Sequence, residues 1–387
     1  MDMSSKVLIA IPTYWTWKGG KCSPGDAIYD HPTPLDQKGT LARTLKSLKN
    51  IEGPGFKVMI ITAATNPQLE ESIEARVGEI IKPFKKEYPI TQFAFSDLKL
   101  AQKRLEELGI RKKMIGLNGY GNIRNIQLIV AQIMGIQIVV GLDDDEIVTD
   151  KDYLRKVLNF IGKKHSGKFI GGIAGFYFDD KGNNKSEVKN ERVESKNPFH
   201  HKKSLMNAAI EKIERETGRL VETSIGFGGN MVIHSQVFQK IPFDPYIPRG
   251  EDIDYIINAY LSGYHFFFDK ELFIVHLPPP SGSHLKEDVI RFIYEREKLR
   301  KLNVNGAFRS FLEPYPGAFL HDDQEEQVYE VLIERGLSQE LVEVAKRYSE
   351  ENLPRFFEFQ KEWPEFMEEI KDDEVLKERF MNKWKVK

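Results

Sequence analysis

The sequence predicts an α/β fold: a mostly parallel sheet flanked by helices, followed by a C-terminal helical extension. Three observations predict it. Short continuous apolar runs, the first being Val7-Leu8-Ile9-Ala10-Ile11, read as strands buried on both faces. These runs alternate with segments of helical apolar spacing, the pattern of βαβ units with right-handed crossovers. From about residue 323 strand signals give way to Glu, Lys and Arg interleaved with periodic Leu, Val and Phe.

Taken in order, the first strand closes at Pro12-Thr13-Tyr14 and residues 15–38, rich in Gly, Pro, Trp and Asp, read as a long loop. Loops of that length in compact domains are usually functional or disordered. A helix over 41–49 follows, with Thr40 at its cap. A second strand covers 57–62, and residues 66–86 carry helical spacing at Leu69, Ile73, Val77, Ile80 and Ile81. A strand near 91–95, helices over 98–108 and 122–134, and a strand over 136–142 complete the first half. In the second half we expect a strand over 169–178, a polar mobile loop over 179–204, a helix over 251–261 and a strand over 264–276. The division is a catalytic unit over 1–322 and a helical tail over 323–387. Tail positions such as Val328, Val331, Leu332, Leu337, Leu341, Val342, Val344, Phe356, Phe359, Trp363 and Phe366 read first as packing against that unit. A homodimer through these helices is the second reading.

Composition excludes several classes. The 387 residues carry 56 Lys+Arg against 58 Asp+Glu, a net charge of −2 that lacks the basic excess of a nucleic-acid binder. The single cysteine, Cys22, rules out an internal disulfide and a cysteine-based zinc cluster, and fits a reducing cytoplasm. No apolar run reaches the roughly 20 residues of a membrane span. The opening residues lack the long apolar core of a signal peptide.

The acidic run Asp143-Asp144-Asp145-Glu146 stands at the end of the fourth strand, where open α/β sheets bind ligands. Hard cations take oxygen ligands, and acids two apart on an extended segment point to one side. Asp143 and Asp145 are therefore candidate cation ligands; a solvated acidic turn is the other reading.

The order of motifs resembles the GT-A glycosyltransferases, particularly their family-2-like members. It runs from the apolar strand ending Pro12-Thr13-Tyr14, through Gly121-Asn122-Ile123-Arg124-Asn125 at a helix start, to the DxD motif Asp143-x-Asp145. Gly226-Phe227-Gly228-Gly229-Asn230-Met231 resembles that family's glycine-rich acceptor-side segment, and Arg249-Gly250-Glu251-Asp252 its Gly-Glu-Asp motif. The resemblance spans about residues 7–285. It implies a Rossmann-like sheet and a metal-dependent transfer of a sugar from a UDP- or GDP-sugar to the hydroxyl of a soluble acceptor, a small molecule or saccharide.

The resemblance also assigns residues. Asp145, Asp143 and His276 are the expected ligands of Mn²⁺ or Mg²⁺, with His284 as competitor to His276. Pro12, Thr13, Tyr14, Arg124, Asp143 and Asp144 face the donor. At the end of the second strand, where the family carries acids, this chain has Thr62 and Asn66, which are read as hydrogen-bonding the nucleotide base. Gly228, Gly229 and Asn230 are placed on the acceptor side. Asp252 is the expected base of an inverting reaction, with Glu251 beside it; its other reading is a first-turn acid favoured by the helix dipole. Phe227, Tyr246, Tyr264 and Trp15 or Trp17 are candidates for stacking on sugar faces. A retaining enzyme, a sugar-phosphate nucleotidyltransferase using Lys18-Gly19-Gly20-Lys21 on phosphates, and a non-catalytic nucleotide-sugar-binding protein are the alternatives.

Overall fold

A computed structural model describes residues 6–188, 194–280, 282, 284–322 and 324–384. Part of the 179–204 segment and Asp323 lie outside the described residues.

The strands are β1 (Val7–Thr16), β2 (Thr33–Pro34), β3 (Lys57–Ala64), β4 (Ile90–Phe93), β5 (Ile138–Gly141), β6 (Glu146–Ile147), β7 (Lys164–His165), β8 (Lys168–Phe178), β9 (Leu220–Glu222), β10 (Met231–His234) and β11 (His265–His276). The helices are α1 (Leu41–Ser47), α2 (Glu70–Ile81), α3 (Phe95–Glu107), α4 (Tyr120–Ile133), α5 (Tyr153–Phe160), α6 (Lys202–Arg215), α7 (Ser235–Phe238), α8 (Glu251–Leu261), α9 (Leu285–Lys301), α10 (Gly306–Phe311), α11 (Glu325–Glu334), α12 (Glu340–Lys371) and α13 (Glu374–Trp384).

One sheet runs β4-β3-β1-β5-β10-β8-β11-β6. The first four strands are parallel, β10 enters antiparallel between β5 and β8, and β11 runs parallel to β8. This is the expected class, with helices on both faces. The chain turns from β1 to β3 on one side and reaches β5 on the other, so the crevice beyond β1 and β5 is a topological switch point.

The expected loop over 15–38 needs correction. β1 continues through Trp15 and Thr16, and Trp15 is fully buried. The ladder to β5 ends at Ala10↔Gly141, so Pro12, which has no N–H to give, meets a strand only on its β3 side. Pro12 therefore does not end the strand; it marks where β5 stops and a gap opens. The rest of the segment returns to pair Trp15 with Thr33 in parallel. The 179–204 segment is likewise not loop throughout: a 3₁₀ turn covers Pro198–His200 and α6 begins at Lys202. Asn197 donates to the Gln327 carbonyl and the Glu330 carboxylate of α11, anchoring this end to the tail.

The tail packs on the sheet unit. Phe359, Trp363, Phe366, Met367, Ile370, Phe380 and Trp384 share one core with Met59, Phe93, Ile129 and Ile133. Trp363 donates to the Phe238 carbonyl at 2.7 Å and Trp384 to that of Val58 at 3.2 Å. The compositional shift at 323 marks no packing boundary, since α9 already lies against α12. Val328, Val331, Leu332, Val342 and Phe356 are buried within the chain, whereas Val344 is exposed. Among the described residues no helix is long and apolar enough to cross a membrane.

Candidate active site at the sheet switch point

A cavity of about 350 Å³ opens at the switch point. Pro12 and Tyr14 of β1, Arg124 of α4, the acids 143–145, Gly228, Glu251, Asp252 and His276 all line it. Segments far apart in sequence thus meet in one place.

The acidic run is held as a turn. Glu146 is fully buried and its carboxylate accepts the Asp143 N–H at 2.7 Å. From α1, Thr44 donates to the Asp144 carbonyl, and Arg43 to the carbonyls of Asp145 and Leu277. Pairing of His276 with Glu146 in the antiparallel β11–β6 ladder fixes the imidazole beside Asp145. His276 Nε2 lies 3.4 Å from Asp145 Oδ2, and His31 Nε2 lies 3.0 Å from the same oxygen. His284 instead faces Asp30 at 3.7 Å.

Electrostatics separate the acids. Burial alone pushes the Asp145 carboxyl up, but the His276 and His31 hydrogen bonds prevail and hold it well below the ordinary range. Burial pushes Asp144 up to about 7 and Glu146 well above its usual value. Asp143 is raised by burial against the opposing pull of Arg124. Arg124 Nη2 contacts Asp143 at 2.6 Å and its Nε contacts Glu251 at 3.4 Å, while Nη1 is buried without a partner.

Chemically, the Asp145 carboxylate suits a hard cation such as Mn²⁺ or Mg²⁺, and the His276 imidazole beside it adds a nitrogen donor. Among the described residues no group of three or more His, Cys, Asp or Glu side chains is placed to hold a metal ion unaided. Hard cations commonly complete their shell with substrate phosphates, so Asp145, with His276 and Asp143 flanking it, fits such a shared site.

Asp252 sits in the first turn of α8 and is the more open of the motif's two acids. Its oxygens accept the Gly228 N–H at 3.0 Å and the Ile253 N–H at 2.8 Å. Glu251 is buried, and burial followed by repulsion from Asp252 pushes it up to about 7.

Several expected residues stand elsewhere. Thr13 is buried outside the cavity wall and donates to Asp144 Oδ2 at 2.5 Å. Thr62 accepts from Gln92 at 3.0 Å, and Asn66 caps the turn at Pro67 while donating to Asp26; neither lines the cavity. Gly229 and Asn230 are also outside its wall. A Cβ on Gly229 would sit 1.9 Å from Glu146, and Asn230 bonds the Tyr153 hydroxyl and the Phe176 carbonyl. The glycine segment is therefore a packing device beneath the site, with Phe227 and Gly228 at its surface. Asn125 docks α4 through paired hydrogen bonds with Phe243. Trp15 is buried, Tyr246 and Tyr264 pack half-buried against the core outside the cavity wall, and Trp17 bonds Asp26. Lys18 and Lys21 are exposed away from the cavity.

The structure adds Asp30, His31, Tyr120, Tyr177, Lys202, Arg249 and Arg291 to the cavity wall, and of these only Arg249 stands within a motif stretch, beside Gly250-Glu251-Asp252. Tyr177 stacks on Phe227 at 4.5 Å and contacts His276 at 4.7 Å. Asp30 and His31 carried only the signal of the long 15–38 loop, and Lys202 that of the polar 179–204 segment.

No protein-family model and no curated protein matches the chain. Solved structures do. The mannosyltransferase PcManGT from Pyrobaculum calidifontis, in complex with GDP-Man and Mn²⁺, is similar with a TM-score of 0.46 and 12% identity, over 97% of this chain and 86% of that one. GalNAc-T7 with UDP, GalNAc and Mn²⁺ gives 0.42 and 13%, over 93% and 58%. The glucosyl-3-phosphoglycerate synthase of Mycobacterium tuberculosis with Mn²⁺, uridine diphosphate and phosphoglyceric acid gives 0.38 and 13%, over 78% and 80%. At these values the likeness is one of chain course, and the chemistry is read from the residues themselves.

Proposed function

We propose that the chain is a metal-dependent glycosyltransferase of the GT-A type. It moves a sugar from a nucleotide-sugar donor to an acceptor hydroxyl, with inversion. One observation carries the reading: Asp145 with His276, the bridging Arg124 and the carboxylate of Asp252 all face a single cavity. Asp145, with His276 and Asp143, would hold Mn²⁺ or Mg²⁺, which supplies positive charge to the departing diphosphate. Arg124 adds its unpartnered Nη1 to that charge. Asp252 takes the proton of the acceptor hydroxyl. The acceptor oxygen bonds the anomeric carbon, and the bond from that carbon to the phosphate oxygen breaks, the electron pair leaving with the nucleoside diphosphate. The two backbone N–H groups on Asp252 keep its carboxylate aimed at the cavity. Exposure of Lys18 and Lys21 away from the cavity disfavours the nucleotidyltransferase reading.

The test is a screen of UDP-, GDP- and ADP-sugars with Mn²⁺ or Mg²⁺, following thermal shift and nucleotide release. Metal-dependent release from one donor is expected. No shift and no release with any donor would sink the reading, and pyrophosphate release from a nucleoside triphosphate and a sugar phosphate would replace it.

A further inference from the structure

Beside Asp252 the cavity wall changes character. Lys202 from the start of α6, Arg249 from the segment before α8 and Arg291 from α9 converge there with Tyr315. Lys202 bonds both oxygens of Asp288 at 2.6 Å, and Arg249 bonds Asp30 at 2.7 Å. Arg291 is buried; its Nε contacts Glu295 at 3.3 Å, its Nη1 the Tyr315 hydroxyl at 3.4 Å, and its Nη2 has no partner. Arg291 lines the cavity, and a buried guanidinium nitrogen left without an acceptor is costly, which leaves this arginine short of negative charge.

The fold makes room for this arginine. A Cβ on Gly250 would lie 2.0 Å from Arg291 Cζ, and Gly250 also takes φ +71°, so glycine is required there twice over. The surrounding carboxylates do not fully answer the cations. Burial pushes Glu295 up to about 7, leaving it part-protonated near neutrality. Lys202 is lowered by burial and, after the opposing effect of Asp288, by repulsion from Arg249 and Arg291. The three cations therefore sense one another across the wall.

We infer that the acceptor carries an anionic group, a phosphate or a carboxylate, seated among Lys202, Arg249 and Arg291 while its hydroxyl faces Asp252. This rests on the glycosyltransferase reading for the word acceptor, but the anion site itself does not require transfer. Arginine and lysine donors suit either anion, the guanidinium by paired N–H groups and the ammonium as a point charge.

The experiment uses the full chain saturated with Mn²⁺ and UDP or GDP, so that the diphosphate position is filled. Calorimetry then compares glycerol 3-phosphate, glycerate and glycerol, with inorganic phosphate as competitor. An anionic probe binding at least tenfold tighter than glycerol, and displaced by inorganic phosphate, is the expected result. The tighter of the two anions identifies which group the site takes. Lys202→Met and Arg249→Gln should each shrink the anion-over-glycerol preference at least tenfold. Asp30 is partly exposed, so Arg249→Gln leaves no fully buried unpaired charge and decides the matter if Lys202→Met fails to fold. Binding of neither anion more tightly than glycerol, or a preference that survives Arg249→Gln, overturns the inference. Failure of the glycosyltransferase reading shows separately, as absence of nucleotide release from every donor while the anion preference persists.

Discussion

Asp252 and Glu251 are neighbours with opposite surroundings, and the difference assigns their work. Asp252 is open to the cavity and fixed by two backbone N–H groups, whereas Glu251 is buried against Arg124. Asp252→Asn keeps the shape and removes the proton acceptor, so it should lower the transfer rate by roughly 10²–10⁴-fold with the donor dissociation constant unchanged in calorimetry. Loss of donor binding instead would move Asp252 into the donor site. Stability at this scale follows the buried carboxyls. Burial raises the Glu295 carboxyl to about 7, above its usual 4.5, so the folded state holds a proton that the unfolded chain has lost. The stabilisation is complete below about pH 4.5 and fades as pH rises through 7. Glu251 carries the same sign. Urea unfolding of the metal-free protein should therefore show stability falling between pH 5 and 7.5, with a shallower slope in Glu295→Gln.

Elements bring the site together through register. A two-residue ladder between β11 and β6 sets His276 against Asp145, and a slip of one residue would turn the imidazole to the other face. Asp145→Asn should weaken Mn²⁺ binding at least tenfold in a competition titration and leave the circular dichroism spectrum unchanged; retained affinity would shift the ligand role to Asp143. Beneath this ladder Gly229 admits the Glu146 carboxylate. Gly229→Ala forces that buried group aside, and overpacking of this kind costs about 1–3 kcal/mol. A lowered urea midpoint with an unchanged slope is the expected reading. The motif order exposed these elements because each carries its own local pattern of strand end, helix start and glycines. The convergence of Lys202, Arg249 and Arg291 was illegible for the opposite reason: single cations on three separate segments leave no joint pattern until those segments pack.

Across the whole molecule, the tail completes the core of the sheet unit. Trp363 is fully buried, and its indole bonds a carbonyl of the segment leading from β10. Trp363→Ala should cost about 3–5 kcal/mol and lower a single cooperative unfolding transition, checked by calorimetry; a second, separate transition would instead make the tail an independent unit. The sequence by itself determined the alternation of strands and helices, the acidic strand end and the Gly-Glu-Asp helix start, because periodicity and punctuation are local properties. The extension of β1 through Trp15 was missed, since a proline usually closes a strand and only the absence of β5 at that height lets this one pass. Tertiary structure alone decided which polar residues share the cavity. It turned Thr13, Gly229 and Asn230 inward as supports, set Thr62 and Asn66 apart, and brought His31 to Asp145 across 114 residues. The physical reason is that side-chain convergence depends on how sheet and helices pack in three dimensions, and no spacing along the chain encodes that directly.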